Sequence, residues 1–548
     1  MSADNPINPL AQLPLSETPE APRKSSPALG RQIAGATAIV MASVLLSRLL
    51  GFWRDWEVAR QVGSNATTDA YNAAFTLPDF LNYLVAAGSL SITFIPVFSK
   101  YMAEKNEEEG WRVFSIVVSF MGLVMIGVVA LAEIFAPKIV TWIVPGFGAA
   151  EKAYVVSLTR LMLPAQFCFY MGGILSAVQY AKKRFIVPSL APLIYNLGII
   201  LCGVLLSSRM GITGFAVGVL LGAIVGNFLL QVYGAKRAGA KFNFSLNIRH
   251  PGFILFVKLA IPIMLALSLT FTDDWIIRWF GSNLQAGSIT WLTYSKNLMR
   301  VPLGIVGQAI GVASFPVLAQ LFSEKRMVEL DKILTGTMKG IILMLMPVTA
   351  LTVAMSVPLV HLVFTHTRLV ESDFLATAGT LVWFSLGIIA WGAQNILSRA
   401  FYAMHDTITP AVLGTAITIL NLPLYWLLVR HMQHLGLAAA SSAGITAYTI
   451  ILFVILIRKT SGSGMRGLMS FFARVTLASA IGGIVCWKFV GWLGERISWK
   501  TFHGALIDLS AATVVGVILT IIFLQMFGVK EVGNYMQRIA ARFSGTRA

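Results

Sequence analysis

Apolar runs of about twenty residues recur along the whole chain, and each is long enough for an α-helix to cross a hydrocarbon core of roughly 30 Å. Trp111 to Ala136, Phe185 to Ser207, Ile212 to Tyr233, Leu435 to Ile457 and Ala505 to Phe527 are clear cases. Transmembrane strands would alternate polar and apolar residues, which these continuous runs do not do. The reading is an all-α polytopic membrane protein. Composition agrees, because only 12% of the 548 residues are charged and the mean hydropathy is +0.75.

The pattern predicts about fourteen transmembrane helices, at roughly 33–62, 68–99, 111–136, 152–181, 185–207, 212–235, 251–280, 287–322, 330–364, 372–404, 408–429, 435–457, 467–493 and 502–527. A formal charge of +18 would suit a nucleic-acid binder, but the positive residues gather in alternate loops, such as Lys182-Lys183-Arg184, Lys236-Arg237 and Arg458-Lys459. About 22 lie on one side of the predicted topology and about 7 on the other, the positive-inside signature, so both termini are expected in the cytoplasm. No nucleic acid is implied. Residues 1–32 read as a disordered cytoplasmic tail without the apolar core of a signal peptide, and 528–548 as a basic cytoplasmic tail.

Three spaced matches suggest an internal duplication. Tyr180-Ala181 with Pro188 recurs as Tyr402-Ala403 with Pro410, Gly63-Ser64-Asn65 recurs as Gly281-Ser282-Asn283, and Phe94 to Val97 is echoed by Ser314 to Val317, at offsets of 222, 218 and 220. Six predicted helices separate equivalent points, so the copies are parallel. The expected organisation is an N-lobe over 33–240, a C-lobe over 251–458 and a terminal helix pair over 467–527. A substrate site is expected between the lobes.

Charged residues inside membrane helices cost about 2.5–3.5 kcal/mol each on insertion scales, so they mark functional candidates. They cluster in the first two helices of each copy: Arg48, Arg54, Asp55, Glu57, Arg60, Asp69 and Asp79, then Asp273, Asp274, Arg278, Lys296 and Arg300. Arg48 and Asp55 are seven apart and share a helix face, whereas Arg54 is turned away unless Gly51 breaks the helix. Lys296 and Arg300 share a face and would repel without an anion or carboxylate between them. Two readings stand: a cationic cavity for an anionic substrate, suited to the forked donors of Arg, or internal ion pairing and snorkelling. Pro78, Pro96, Pro262, Pro302, Pro316, Pro347 and Pro410 serve as hinges or as static bends. Cys168, Cys202 and Cys486 read as buried thiols without disulfide or metal spacing, and His361 and His366 as ordinary surface residues. There is no Walker loop, Gly-x-Ser-x-Gly or His-Glu-x-x-His motif, so neither an enzyme nor a cofactor is expected.

Ser47-Arg48-Leu49-Leu50-Gly51-Phe52-Trp53-Arg54-Asp55, then Thr68-Asp69-Ala70-Tyr71 and Phe75-Thr76-Leu77-Pro78, resemble the opening of the MurJ (MviN) lipid II flippases. Val144-Pro145-Gly146-Phe147, Phe315-Pro316 and Phe401-Tyr402 through Asp406 to Pro410 extend the likeness across roughly 33 to 460. The resemblance implies the multidrug/oligosaccharidyl-lipid/polysaccharide exporter superfamily, with helices 13 and 14 forming a groove for the lipid tail. It implies a lipid-linked anionic substrate, an undecaprenyl pyrophosphate saccharide, in the bacterial inner membrane. Membrane lipids and cell-wall synthesis proteins are the implied partners. It places Ser47, Arg48, Arg54 and Asp69 on functional positions of the first lobe.

The chain departs from the family's pattern at two points. Asp79 and Asn82 follow Leu77-Pro78 where an Asn and, three residues on, an Arg are typical. Tyr294-Ser295-Lys296-Asn297 replaces Tyr-Ala-Asp-Arg, leaving Asn297 in place of an Arg. Lys296, Asn297 and Arg300 are therefore the substrate candidates of the second lobe. Asp55, Asp273 and Asp274 are candidates for ion coupling or internal pairing. A sodium-coordinating Asp of some members has Ile277 near its place, so no metal is assigned. The alternatives are a flippase for another undecaprenyl pyrophosphate saccharide, a cation-coupled small-molecule exporter using Asp69, Asp273 and Asp274, and a non-transporting scaffold.

Overall fold

A computed structural model describes residues 27–83, 89–268, 272–404, 406–460 and 466–533. Residues 1–26 of the expected amino-terminal tail and 534–548 of the carboxy-terminal one lie outside the described residues. Helices account for the ordered elements, and no strand occurs among the described residues. The first expected helix starts earlier than its apolar run, at Pro27, whose fixed φ and missing N–H suit a first turn.

The amino-terminal half contains α1 (Pro27–Gln61), α2 (Ala66–Ala74), α3 (Thr76–Leu81), α4 (Ser89–Ala103), α5 (Glu107–Ile143), α6 (Ala149–Met162), α7 (Ala165–Ala181), α8 (Ile186–Met210), α9 (Thr213–Gly222) and α10 (Leu230–Arg237). A π-helical stretch, Ala223–Leu229, joins the last two. The second half contains α11 (Pro251–Ser268), α12 (Thr272–Gly281), α13 (Ser288–Ser323), α14 (Met327–Ala354), α15 (Ser356–Phe364), α16 (Glu371–Ser385), α17 (Ile388–Ala403), α18 (Ile408–Leu420) and α19 (Leu422–Lys459). The last pair is α20 (Arg466–Gly494) and α21 (Phe502–Met526).

Many expected spans are broken rather than straight. Residues 152–181 divide at Leu163-Pro164 into α6 and α7, because a proline cannot donate to the preceding turn. The pair α16 and α17 bends by 42° at Leu386-Gly387. Gln433, at φ 49°, breaks α19 where the sequence separates 408–429 from 435–457. Among the described residues, eight spans are long and apolar enough to cross a membrane, and the bent α16–α17 pair makes a ninth. The other expected spans are charged or broken, so the described residues carry fewer long apolar spans than the fourteen expected from the apolar runs.

Buried apolar side chains fall into separate clusters. One joins Val58, Tyr71, Leu77, Leu158 and Phe215 in the amino-terminal half. The largest runs from Ile276 through Leu345, Phe384 and Phe401 to Phe471, so α20 is welded to the second half through α14. A third places Phe253, Phe256 and Ala260 of α11 against Phe94 and Phe114, so α11 packs on α4 and α5 while α12 packs on α19. The segment expected to open the C-lobe is thus shared between the halves. Within the first half, α8 and α9 approach closely: a Cβ on Gly218 would stand 2.6 Å from Ile199 Cα, and one on Gly222 would stand 2.7 Å from Tyr195 O. Small residues that let backbones meet are the usual glue of membrane helices.

His361 departs from its surface reading. It is buried between Phe374 and Trp499, with ring centroids 4.9 and 5.5 Å away, because the α20–α21 turn folds over the end of α15. Cys168 and Cys486 are buried, and Cys202 is half-buried.

Candidate functional site

A cavity of about 490 Å³ lies between the halves. Its amino-terminal wall carries Arg54, Asp55, Tyr71, Asn72, Asp79 and Asn82, and its opposite wall Asp274, Arg278, Lys296, Asn297 and Arg300. Charged residues of four helices that are far apart in sequence therefore meet in one space.

The helix register explains who faces whom. Asn297 Nδ2 donates to Asp55 Oδ2 at 2.8 Å, and seven residues away on each helix the Arg48 guanidinium lies over Gly304, so closely that a Cβ there would overlap it. Moving back along α1 while moving forward along α13 is the register of antiparallel neighbours. Arg48 and Asp55 share the face that meets α13, as their spacing predicts. Gly51 does not break α1, yet Arg54 still lines the cavity, from which Arg48 is absent.

Most of the cations come with counter-charges. Arg54 Nε and Nη2 donate to Asp55 Oδ1 at 3.1 and 2.9 Å. Lys296 Nζ donates to Asp273 Oδ2 and Asp274 Oδ1, each at 2.6 Å, and Arg300 lies 3.5 Å from Asp274 Oδ2. The carboxylate expected between Lys296 and Arg300 is Asp274. Asn297 contacts Asp55 through its amide and brings no charge to the cleft. Among the described residues, Arg48, Arg278 and Arg300 retain free donors, as does Nη1 of Arg54. Arg300 is half exposed at 49%, Arg278 spends Nη1 on Thr76 Oγ1 at 2.9 Å, and Arg48 has no hydrogen bond or ion pair among the described residues. Arg278 is the one cavity cation missing from the sequence-derived substrate set, although it stands one helical turn after Asp274.

Asp273 points away from the cavity. Tyr425 and Ser441 hydroxyls donate to it at 2.5 and 3.0 Å, and it borders a separate space of about 300 Å³ inside the second half, among Gln394, Thr415, Asn421 and Tyr448. Lys296 bridges the two spaces. Ser47 faces α8, where its Oγ accepts from Asn196 Nδ2 at 3.3 Å.

Asp69 is also outside the cavity, buried, and has a mechanical part. Its Oδ2 accepts from Gly287 N at 2.7 Å, and its Oδ1 from Thr290 N at 2.8 Å and Thr290 Oγ1 at 2.6 Å. The carboxylate thus caps the amino terminus of α13 from the opposite half, satisfying donors that a helix start leaves open. Gly287 itself, at φ 96°, has no side chain for the task. Around it, Trp56 Nε1 donates to Thr365 O at 2.9 Å, Arg368 N to Ala59 O at 3.1 Å, Asn72 Nδ2 to Thr290 Oγ1 at 3.2 Å, and Gly146 N to Ser282 Oγ at 3.1 Å. A Cβ on Gly146 would overlap Ser282 O. These contacts close the cavity at the end of the molecule that carries residues 62–66 and 281–288. Gly63 touches Arg368 while Gly146 touches Ser282; Gly63 and Ser282 are separated by 219 residues and Gly146 and Arg368 by 222, close to the offsets of the three sequence matches.

A two-half helical bundle with a charged cleft between the halves is the architecture of a membrane transporter. An inward-facing multidrug resistance MATE transporter of the MOP superfamily superposes with a TM-score of 0.62 over 79% of this chain and 98% of its own, at 13% identity. The inward closed conformation of a lipid II flippase MurJ gives a TM-score of 0.74 over 89% and 99% of the two chains, at 22% identity.

The family model described as Lipid II flippase MurJ matches residues 58–498, and the chain belongs to that family. Among its relatives, a probable lipid II flippase MurJ of Buchnera aphidicola subsp. Acyrthosiphon pisum is 27% identical over 77% of this chain and 82% of its own. The lipid II flippase MurJ of Burkholderia cenocepacia is 25% identical over 84% of this chain and 91% of its own.

Proposed function

We propose that the protein is a flippase that carries lipid II, or a close undecaprenyl pyrophosphate saccharide, across the bacterial inner membrane for peptidoglycan synthesis. Membership of the lipid II flippase MurJ family supports this reading. The observation that carries it is the cleft between the halves, where Arg54, Arg278, Lys296 and Arg300 are paired with Asp or with neutral partners. A pyrophosphate entering there meets the free donors of Arg278 and Arg300 first and competes with Asp55 and Asp274 for the rest. Arg forks match phosphate oxygens in pairs, which offsets the loss of an Arg at Asn297.

Both termini are read as cytoplasmic, so the end closed by Asp69 faces outward and the cleft is loaded from inside. Alternating access then requires the Asp69 contacts to break while the opposite end closes. The α20–α21 pair is the proposed seat of the lipid tail, and cell-wall synthesis proteins are the proposed partners. A cation-coupled small-molecule exporter is less well supported, because Asp69, Asp273 and Asp274 are each engaged by protein donors.

The test is to deplete the resident lipid II flippase of a host bacterium and express this chain. Restored growth is expected from the wild type and loss of rescue from Arg300→Ala. No rescue by a wild-type protein shown to be inserted would contradict lipid II as the substrate.

A further inference from the structure

Between α10 and α11 the chain takes no regular structure over residues 240–247, yet its side chains are ordered by type. Phe242, Phe244, Leu246 and Ile248 alternate with polar residues and are exposed by 52, 66, 46 and 50%. Alternation in an extended segment puts alternate side chains on one face. The inner edge of this segment is tied to α5: Asn243 N donates to Ser115 Oγ at 3.1 Å and Ser245 N to Ser119 Oγ at 3.2 Å.

The spacing fits on both sides, since one turn of helix and two extended residues each advance roughly 6 Å. The segment then turns, with Ile248 N donating to Leu246 O and His250 N to Asn247 O, and climbs back until His250 Nε2 meets Glu109 Oε2 at 2.8 Å. It therefore dips along α5 and returns. Its farthest tie, Ser119, lies two turns past Trp111, roughly 12 Å along the helix axis.

Charge surrounds this dip. Lys236, Arg237, Lys241 and Arg249 are all exposed, and residues 236–250 contain no carboxylate. The nearest acids are largely taken: Glu107 pairs with Lys182 at 2.7 Å, with Lys241 close by, and Glu109 serves Arg112 and His250.

We infer that residues 241–249 form a re-entrant strap set into the headgroup and upper acyl layer of the bilayer, with anionic phospholipid headgroups gathered at Lys236, Arg237, Lys241 and Arg249. Apolar side chains of interfacial segments enter that layer by about 5–10 Å, and basic residues beside them attract anionic lipid headgroups. The interface, still wet, solvates the backbone groups that Ser115 and Ser119 leave unpaired, which the hydrocarbon core would not. The linker between the halves is thereby fixed to the first half and to one leaflet.

Nitroxide labels placed singly by Phe242→Cys, Phe244→Cys, Leu246→Cys, Ile248→Cys, Lys241→Cys and Asn247→Cys test this. The background is the full chain with its three native cysteines replaced by alanine, reconstituted in phosphatidylcholine with or without phosphatidylglycerol. Collision rates with oxygen and with a water-soluble nickel chelate give the depth of each label. The four apolar positions are expected to show an oxygen-to-nickel ratio severalfold above the two polar ones. Nickel access at all six would place the strap in water and overturn the proposal, and shielding of all six from both probes would mean a protein partner covers it, which also overturns it. A second measurement avoids the cysteine replacements. In native mass spectrometry the wild type is expected to keep phosphatidylglycerol over phosphatidylcholine, and the combined K236Q, R237Q, K241Q and R249Q variant to lose that preference. An unchanged preference would refute the anionic-lipid site.

Discussion

Lys296 holds two carboxylates at once, and one of them, Asp273, also accepts from Tyr425 and Ser441. Removing the ammonium leaves two adjacent, partly buried negative charges facing each other. Breaking a buried pair costs about 3–5 kcal/mol, and partial exposure of the two acids brings the expected loss for Lys296→Met to about 2–3 kcal/mol. Thermal unfolding in detergent should show it, and adding Asp273→Asn with Asp274→Asn should recover much of the loss. An unchanged melting temperature would mean that Lys296 is not the partner of these acids. The sequence made the residues of this cluster visible as costly charges in apolar helices, and the four-residue spacing of Lys296 and Arg300 called for an anion or a carboxylate between them, the second of which Asp274 supplies. It did not reveal that Asp69 caps α13, because that bond joins residues 218 apart and depends on how the halves meet. Nor did it separate Arg278, whose free donors enter the cleft, from the helix charges that only pair internally.

At the scale of elements, the close approach of α8 and α9 depends on two glycines. Gly218→Val would drive a side chain into the Ile199 backbone, and Gly222→Val into Tyr195 O. Overpacking of this kind costs about 1–3 kcal/mol or more, so either variant should lower the yield of monodisperse protein on size exclusion, while Gly127→Val, where a Cβ meets nothing, should not. The start of α18 offers a second case. Asp406 accepts from Thr409 N at 2.9 Å and Thr409 Oγ1 at 2.7 Å, and Lys459 reaches it from the end of α19. Burial alone would raise this carboxyl, but Lys459 and Thr409 outweigh it and hold the group below its usual range. A lowered carboxyl stabilises the fold above the unfolded-state value and loses that contribution as pH falls through the folded one. Asp406→Ala should cost about 1 kcal/mol at neutral pH, and the gap from wild type in melting temperature should narrow in acid. A gap that widens in acid would contradict the assignment. Helix positions were largely legible from apolar runs. The breaks were less so, since Leu163-Pro164 is visible as a proline whereas the positive φ of Gln433 follows from packing.

For the whole molecule, the matching segments Gly63-Ser64-Asn65 and Gly281-Ser282-Asn283 both contribute contacts to one closed end, which the proposed alternating access makes its gate. Asn72 and Thr290 meet across it at 3.2 Å. The pair Asn72→Cys and Thr290→Cys, joined by a short reducible crosslinker, should abolish rescue of a flippase-depleted host, and a reductant should restore it. Rescue by the crosslinked protein would mean that this end need not open. Asp69→Ala should act in the opposite sense, loosening the gate by about 1–2 kcal/mol through loss of the α13 cap, seen as a longer label-to-label distance between the halves. The cleft behind the gate is the centre of the account, and retention of lipid by the purified protein tests it most directly. Native mass spectrometry with added lipid II should show a bound molecule in the wild type. Affinity should fall by roughly tenfold or more in Arg300→Ala and in Arg278→Ala, given about 1.5–3 kcal/mol for a hydrogen bond to a charged group. Equal retention by the wild type and both variants, or no retention by any of them, would contradict a pyrophosphate site between the halves.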